Sequence, residues 1–205
     1  MKRDPKEFVR KVLREKMTDI VEACKRCTFH LNGKALPFFG TNAQYLMVGE
    51  APHVKEVELR SPFVGDSGEF LFTTARDNAG LDRDDFIIFN SVMCKPDAPA
   101  GKTTGKPTKD HINGCVVKRT NIFTYLYDHF DVRHILVLGN YARYIFTGQM
   151  GGIDAANKTT ISTMYGDREF KITYCLHPSA CLHNPDNRPK FIDGIKHFGE
   201  AIRGE

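Results

Sequence analysis

The chain of 205 residues contains no apolar run approaching a membrane span, which takes about 20 residues, so no membrane association is expected. The opening stretch MKRDPKEFVRKVLREK lacks the apolar core of a secretory signal, and a cytosolic location is expected. A large excess of charge of one sign is also missing. Against 25 acidic residues stand 29 Lys and Arg, a formal net charge of +4, which permits nucleic-acid binding without establishing it. No repeat and no second apolar pattern divide the chain, so residues 1–205 are read as a single domain, long enough to bury one core. The Lys-rich stretch GKTTGK is not a phosphate-binding loop. That loop needs Gly, four residues, then Gly-Lys-Ser/Thr, and here Pro107 follows Gly105-Lys106. What the chain does have is six cysteines, which in a cytosolic setting read as thiols or metal ligands rather than disulfides.

The apolar positions Phe8, Val12, Leu13, Met17, Ile20 and Val21 recur at helical spacing and predict a helix over 5–31 that ends in Cys24-Lys-Arg-Cys27. Residues 34–43 read as a loop. Short apolar runs at 44–49, 86–89 and 134–138 read as buried strands, and 159–164 with 169–174 as a hairpin. Helices are expected over 67–80, from Thr108 or Asp110 through about Phe130, over 141–149 and over 188–203. The inner face of the second of these would carry Ile112, Val116, Ile122, Phe123 and Leu126. Strands alternating with helices give an α/β class, a three-layer α/β/α sandwich around a mostly parallel four-stranded sheet. Glu50, Asn90, Gly139 and His177 follow the strands and would gather at one sheet edge, where open α/β sheets bind ligands.

The stretch Gly49 to Gly68 concentrates the chemistry. It offers a carboxylate (Glu50), backbone donors, a flat aromatic stiffened by its proline (Pro62-Phe63) and a turn, Gly65-Asp66-Ser67-Gly68, that opens a helix with Ser67 or Asp66 as its cap. This suits a planar polar ligand beside an anion; the plain alternative is a loop leading into a capped helix. Asn90 at a strand end can present a donor and an acceptor to one edge of a nucleobase, and His177 opens a rigid His-Pro-Ser turn. Cys24, Cys27, Cys94 and Cys115 suit zinc or an iron–sulfur cubane, or are four buried thiols. Cys175 and Cys181 fit the buried-thiol reading.

Taken together these residues resemble the uracil-DNA glycosylase superfamily, in its family-four iron–sulfur form. The resemblance runs through Gly49-Glu50-Ala51-Pro52, Glu56, Pro62-Phe63-Val64-Gly65 and Gly68, then Asn90 with Cys94-Lys95-Pro96, the strand ending Val137-Leu138-Gly139, and His177-Pro178-Ser179-Ala180. The four cysteines also fall in the family's order, and nearly the whole chain is covered. His53 stands where glycine is common in the family and Val57 where aspartate is usual, both in the pocket loop; the loop between Cys94 and Cys115 is longer than usual.

The resemblance implies excision of uracil, or a related deaminated or modified base, from DNA by hydrolysis of the N-glycosidic bond. The alternative it leaves is a member that binds DNA or a modified base without cleaving it. It implies that the base is flipped into a pocket formed by Gly49, Glu50, Ala51, His53, Phe63, Asn90 and His177. Phe63 would stack on it, Asn90 read its polar edge, His177 donate to the anion developing on it, and Glu50 position water or support the sugar cation; Ala51 cannot, where some relatives carry aspartate. Ser179 through Leu182, with Ala180, would face the DNA, and Lys102 and Lys106 contact phosphates. Cys24, Cys27, Cys94 and Cys115 would hold a structural 4Fe–4S cluster. The partner is uracil-containing DNA and the protein is expected to act as a monomer. A covalent-trapping relative would need a histidine within residues 95–110, and none is there.

Overall fold

The computed structural model describes residues 5–102, 105–119 and 130–204. The described elements, in chain order, are α1 (Pro5–Ala23), β1 (Phe38–Phe39), β2 (Tyr45–Gly49), α2 (Val54–Glu58), α3 (Asp66–Ala79), β3 (Phe86–Asn90), α4 (Lys109–Gly114), α5 (Val116–Arg119), β4 (His134–Leu138), α6 (Asn140–Thr147), α7 (Ile153–Ala156), β5 (Thr159–Tyr165), β6 (Arg168–Cys175), α8 (Ser179–His183) and α9 (Arg188–Arg203).

The class is α/β, as the alternation of elements predicts, but the sheet has six strands rather than four, in the order β1-β3-β2-β4-β6-β5. The four central strands are parallel, and β1 and β5 are antiparallel edges. Strand β1 is two residues long, too short to show a period, and forms only because β3 offers it an edge. The hairpin β5–β6 joins the same sheet through β6, adding the second unforeseen edge.

The central strands are apolar on both sides because both faces are covered. Along β3 the alternation separates the two layers. Phe86 meets Phe72 of α3 and Phe198 of α9, while Phe89 meets Phe39, over which the Arg14 guanidinium of α1 lies. Leu13, Met17 and Val21 of α1 are buried as the helical spacing requires, whereas Val12 is 44% exposed. The side chain of Phe8, and the positions Ile122, Phe123 and Leu126, lie outside the described residues.

Two helices stop earlier than their sequence pattern predicts. The first ends at Ala23, and Cys24 to Cys27 form an irregular turn before a short 3-10 helix, Thr28–Asn32. Lys34 accounts for that stop: its ammonium donates to the carbonyls of Val21 (3.0 Å), Glu22 and Cys24 (2.7 Å), the acceptors a helix end leaves unpaired. The second breaks at Cys115, whose extended backbone (ψ 141°) separates α4 from α5, just after the weak helix former Gly114. Helix α3 begins one residue early: Gly65 is its N-cap, and neither Asp66 nor Ser67 caps it.

Chain order sets the place of the site. From β2 the chain moves to β3 on one side, then returns to β4 on the other, so the loops leaving β2 and β4 diverge and leave a crevice at their carboxyl ends. Among the described residues no helix is long and apolar enough to cross a membrane.

Candidate active site

Asn90 ends β3 directly opposite Gly49, the last residue of β2. Pairing continues past the strand ends: the Ser91 N–H donates to the Gly49 carbonyl (2.9 Å), and the Val92 N–H (3.2 Å) and the Ser91 hydroxyl donate to that of Glu50. The Asn90 side chain is therefore carried on fixed backbone and is only 1% exposed. Its amide nitrogen is buried and, among the described residues, without a hydrogen-bond partner. A buried donor left unpaired is costly and points to an acceptor that arrives later.

Phe63 closes over the same spot. A Cβ on Gly49 would lie 2.5 Å from Asn90 Oδ1 and 2.7 Å from Phe63 Cζ, so the glycine is what lets ring and amide approach the strand end. The Phe63 backbone takes the left-handed conformation (φ 53°), which costs a non-glycine residue about 1–3 kcal/mol. Several groups hold it there. The Phe63 N–H and the His53 N–H (2.8 Å) both donate to the Glu56 carboxylate. Arg83 donates to the carbonyls of Phe63 (3.1 Å) and Pro62 (2.6 Å) and to the Ser61 hydroxyl (2.9 Å). Gly68 passes so close that a Cβ would lie 1.9 Å from the Phe63 carbonyl oxygen. Burial pushes the Glu56 carboxyl above its ordinary range, opposed by the two amides and the Arg83 charge.

His177 faces Phe63, with ring centroids 5.7 Å apart and planes 30° apart. Its Nδ1 accepts from the Ser179 N–H (3.3 Å) and lies 2.7 Å from the Ser179 hydroxyl. In the neutral ring this leaves the proton on Nε2, a donor free for a ligand. Burial holds the imidazole below its ordinary value, with the Glu50 carboxylate opposing the shift, so the neutral form is the one favoured near neutral pH.

Glu50 reaches across the crevice to the start of α6. The Tyr141 N–H donates to its carboxylate (3.2 Å), and a Cβ on Gly139 (φ 90°) would lie 2.3 Å from the same oxygen. Glycine there admits the carboxylate to a helix N-terminus, where negative charge is favoured. Tyr141, which the sequence reading missed, stands beside it, its phenol pushed up by burial and then by Glu50. Ala51 packs on the small cluster of Val92, Ile112 and Tyr144, which Tyr141 and Cys115 also join.

Glu50, Phe63, Asn90 and His177 are thus brought together. His53 is exposed, at the N-cap of α2. Val57 packs on the segment after Cys27, where a Cβ on Gly33 would lie 2.3 Å from its Cγ1. Ser179 and Ala180 are half-buried in α8, with Leu182 beyond them 42% exposed. Lys102 and Lys106 are exposed.

The four cysteines come from three irregular segments. Residues 33–35 and 93–95 pair in a short antiparallel bridge, with the Ala35 N–H on the Met93 carbonyl (3.0 Å) and the Lys95 N–H on that of Gly33 (3.1 Å), which brings Cys94 to the Cys24–Cys27 turn. Burial, then the nearness of Cys115, and after these Cys27 and Cys24, push the Cys94 thiol up to about 12, with Lys34 opposing. The Cys115 thiol is also raised, by burial first, although the N–H groups of Val117 and Met93 favour its anion. So the four lie within electrostatic reach of one another, although among the described residues no three such side chains are gathered tightly enough to hold a metal ion.

Arg83 and Lys34 carry no motif signal. Arg83 sits in an acidic turn, Asp82-Arg83-Asp84-Asp85, and only its position just before β3 hints at a role near the sheet.

Comparison with known proteins agrees with this arrangement. The family model described as "Uracil DNA glycosylase superfamily" matches residues 36–201. A Type-4 uracil-DNA glycosylase of Sulfurisphaera tokodaii is 29% identical over 91% of this chain and 83% of its own length. One from Pyrobaculum aerophilum is 30% identical over 90% of this chain and 92% of its own, and one from Saccharolobus solfataricus 28% identical over 91% and 85%. The match runs from just before β1 into the last turn of α9 and takes in every described strand and the whole Asn90 pocket, and the chain belongs to the uracil DNA glycosylase superfamily.

Proposed function

We propose that this chain is a DNA glycosylase that hydrolyses the N-glycosidic bond of uracil in DNA, opening base excision repair, as a single-domain cytosolic monomer. The observation that carries this reading is the unpaired, buried Asn90 amide beneath the Phe63 ring. Uracil flipped from the helix presents an O4 acceptor and an N3–H donor on adjacent atoms, the complement of the amide's Nδ2 and Oδ1. The Phe63 ring stacks on the pyrimidine. As the bond breaks, negative charge grows on the base and positive charge on the sugar. The Nε2–H of neutral His177 donates to the former, and the Glu50 carboxylate faces the latter or orients the water. Such preorganised donors act best where water is excluded, and the Asn90 side chain is 1% exposed.

The donor chemistry of Cys24, Cys27, Cys94 and Cys115 fits a 4Fe–4S cluster: four thiols within mutual electrostatic reach, two backbone N–H groups aimed at one sulfur, and a neighbouring lysine charge. When bound, such a group cross-links the end of α1, the segment after β3 and the α4–α5 break. Lys102, Lys106, Ser179 and Ala180 meet the DNA backbone, so affinity falls steeply as salt rises.

The test is incubation with uracil-containing oligonucleotides followed by alkaline cleavage of abasic sites, with Asn90→Ala as control. Cleavage by the natural chain alone supports the proposal; intact strands at any enzyme concentration overturn it. Ala51, which offers no carboxylate, favours one second reading, a protein that binds the base without cleaving it. Retention of uracil-containing DNA without base release would select that reading.

A further inference from the structure

We propose that Arg83 is a positioning residue for base capture: it holds the Phe63 backbone in its left-handed conformation so that the ring covers the Asn90 amide. The inference rests on the proposed base pocket. It concerns a residue that lies outside every motif and acts through the backbone of the Phe63 loop.

Three observations converge. One guanidinium serves three acceptors on consecutive residues, Ser61 Oγ, the Pro62 carbonyl and the Phe63 carbonyl. That guanidinium is itself fixed, stacked 4.1 Å from the Phe38 ring centroid and 5.4 Å from that of Phe72. Phe63 has the backbone that needs such support, with φ 53° and no glycine to adopt it freely. Glu56 secures the amide of Phe63 and Arg83 its carbonyl, so both peptide groups flanking the ring are tied. Phe38 belongs to β1, the edge strand that pairs with β3, so the clamp is anchored to the same sheet that carries Asn90. Ring and amide are thereby referred to one rigid body. A stacking ring displaced by about 1 Å is enough to cost about 10²-fold in rate.

Lysine does not replace this arrangement. Its single ammonium lacks the planar fork that reaches three acceptors while stacking on aromatic faces.

The experiment compares Arg83→Met and Arg83→Lys in the natural chain and in a Phe63→Ala background. It measures single-turnover uracil release, binding of DNA carrying a stable abasic-site analogue, and hydrogen exchange of the amides of residues 61–65. In the natural background both variants are expected to slow release about tenfold or more while binding abasic DNA within about twofold, because the ring acts on the base and not on the backbone. In the Phe63→Ala background neither variant should slow release further, since the ring that Arg83 positions is gone. Exchange over 61–65 should rise in both variants while that of β2 and β4 stays slow. Additive losses in the two backgrounds, or unchanged exchange over 61–65, would overturn the proposal. The exchange readout needs no catalysis, so loss of the glycosylase reading and loss of the clamp are separately visible.

Discussion

Around Asn90 the side chains ride on strand ends or are braced by several hydrogen bonds, and each is in place before any ligand arrives. Around Cys94 the thiols come from a turn, a bridge and a helix break, and they repel one another as anions. The pocket is a product of the sheet; the cysteine corner is assembled from irregular segments. That difference separates what each region does for the protein. Changes in the pocket should alter chemistry and spare stability, and changes in the corner should do the reverse.

The sharpest way to break this contrast is Asn90→Ala. It removes a buried donor that has no partner among the described residues, so stability should change by no more than about 1 kcal/mol. Excision should fall about 10²–10³-fold, the usual cost of removing one well-placed donor. Single-turnover release and thermal unfolding measure the two halves. Unfolding at a much lower temperature would mean that Asn90 supports the fold rather than the ligand.

Cys94→Ser tests the other side. Removing one of the four proposed ligands should abolish iron binding and the visible absorption that accompanies it, where the natural chain purified without oxygen should hold about four iron and four sulfide. Stability should drop by several kcal/mol, comparable to the ~2–5 kcal/mol lost with a native cross-link, because three segments are released together. The ratio of rates on uracil and other bases should stay as it was. Stoichiometric zinc in the natural chain would overturn the iron assignment.

A smaller effect concerns pH. His177 is held below its ordinary value near 6.5, mainly by burial. The unfolded chain therefore takes up a proton there at a pH where the native imidazole still refuses it. Stability from this group is present above 6.5 and is lost as pH falls from 6.5 through the native value. Excision should follow the native value: flat down to 6.5 and declining only below it, since protonation of Nδ1 forfeits the Ser179 contact. Glu50→Gln removes the charge that opposes the shift and should move the acid limb lower still, in a pH–rate profile on single-stranded uracil DNA. An acid limb above 6.5 would refute the neutral donor.

The amino-acid sequence carried the pocket better than its supports. Glu50, Asn90 and His177 follow apolar runs that can only be buried strands, so their convergence was readable from alternation of elements. The close approach at Gly49 and Gly68 was not, because it depends on where Phe63 lies in space. Arg83 escaped for the same reason: its partners are 20 to 22 positions away and two of the three are backbone carbonyls, which leave no mark on composition. The break at Cys115 was hidden inside a good helical pattern whose one weak point is Gly114, and the thiol's contacts to Val117 and Met93 exist only in the fold. Strand β1 exists only through its neighbour. The packing of Val57 on Gly33 likewise depends on the fold and leaves no mark on its motif position.

The smallest expected effect belongs to His53, the departure from the family pattern that invites the boldest interpretation. An imidazole at the pocket rim could guard against the methyl group of thymine, or donate a hydrogen bond to the base. The structure gives it neither neighbour. Its side chain is exposed, and what ties this position to the pocket is its backbone N–H on Glu56, 2.8 Å away, which any residue but proline supplies. As the N-cap of α2 it is also readily replaced by glycine, at a cost of a few tenths of a kcal/mol. His53→Gly should therefore leave uracil release within about twofold and create no activity on thymine mispairs, as expected of an exposed position whose substitution costs about 0.5 kcal/mol or less. New thymine release would put the imidazole over the pocket in the DNA complex. A large loss on uracil with unchanged DNA affinity would make it a donor to the base. Either result would show that the rim of this pocket, unlike its floor, is set only when DNA binds.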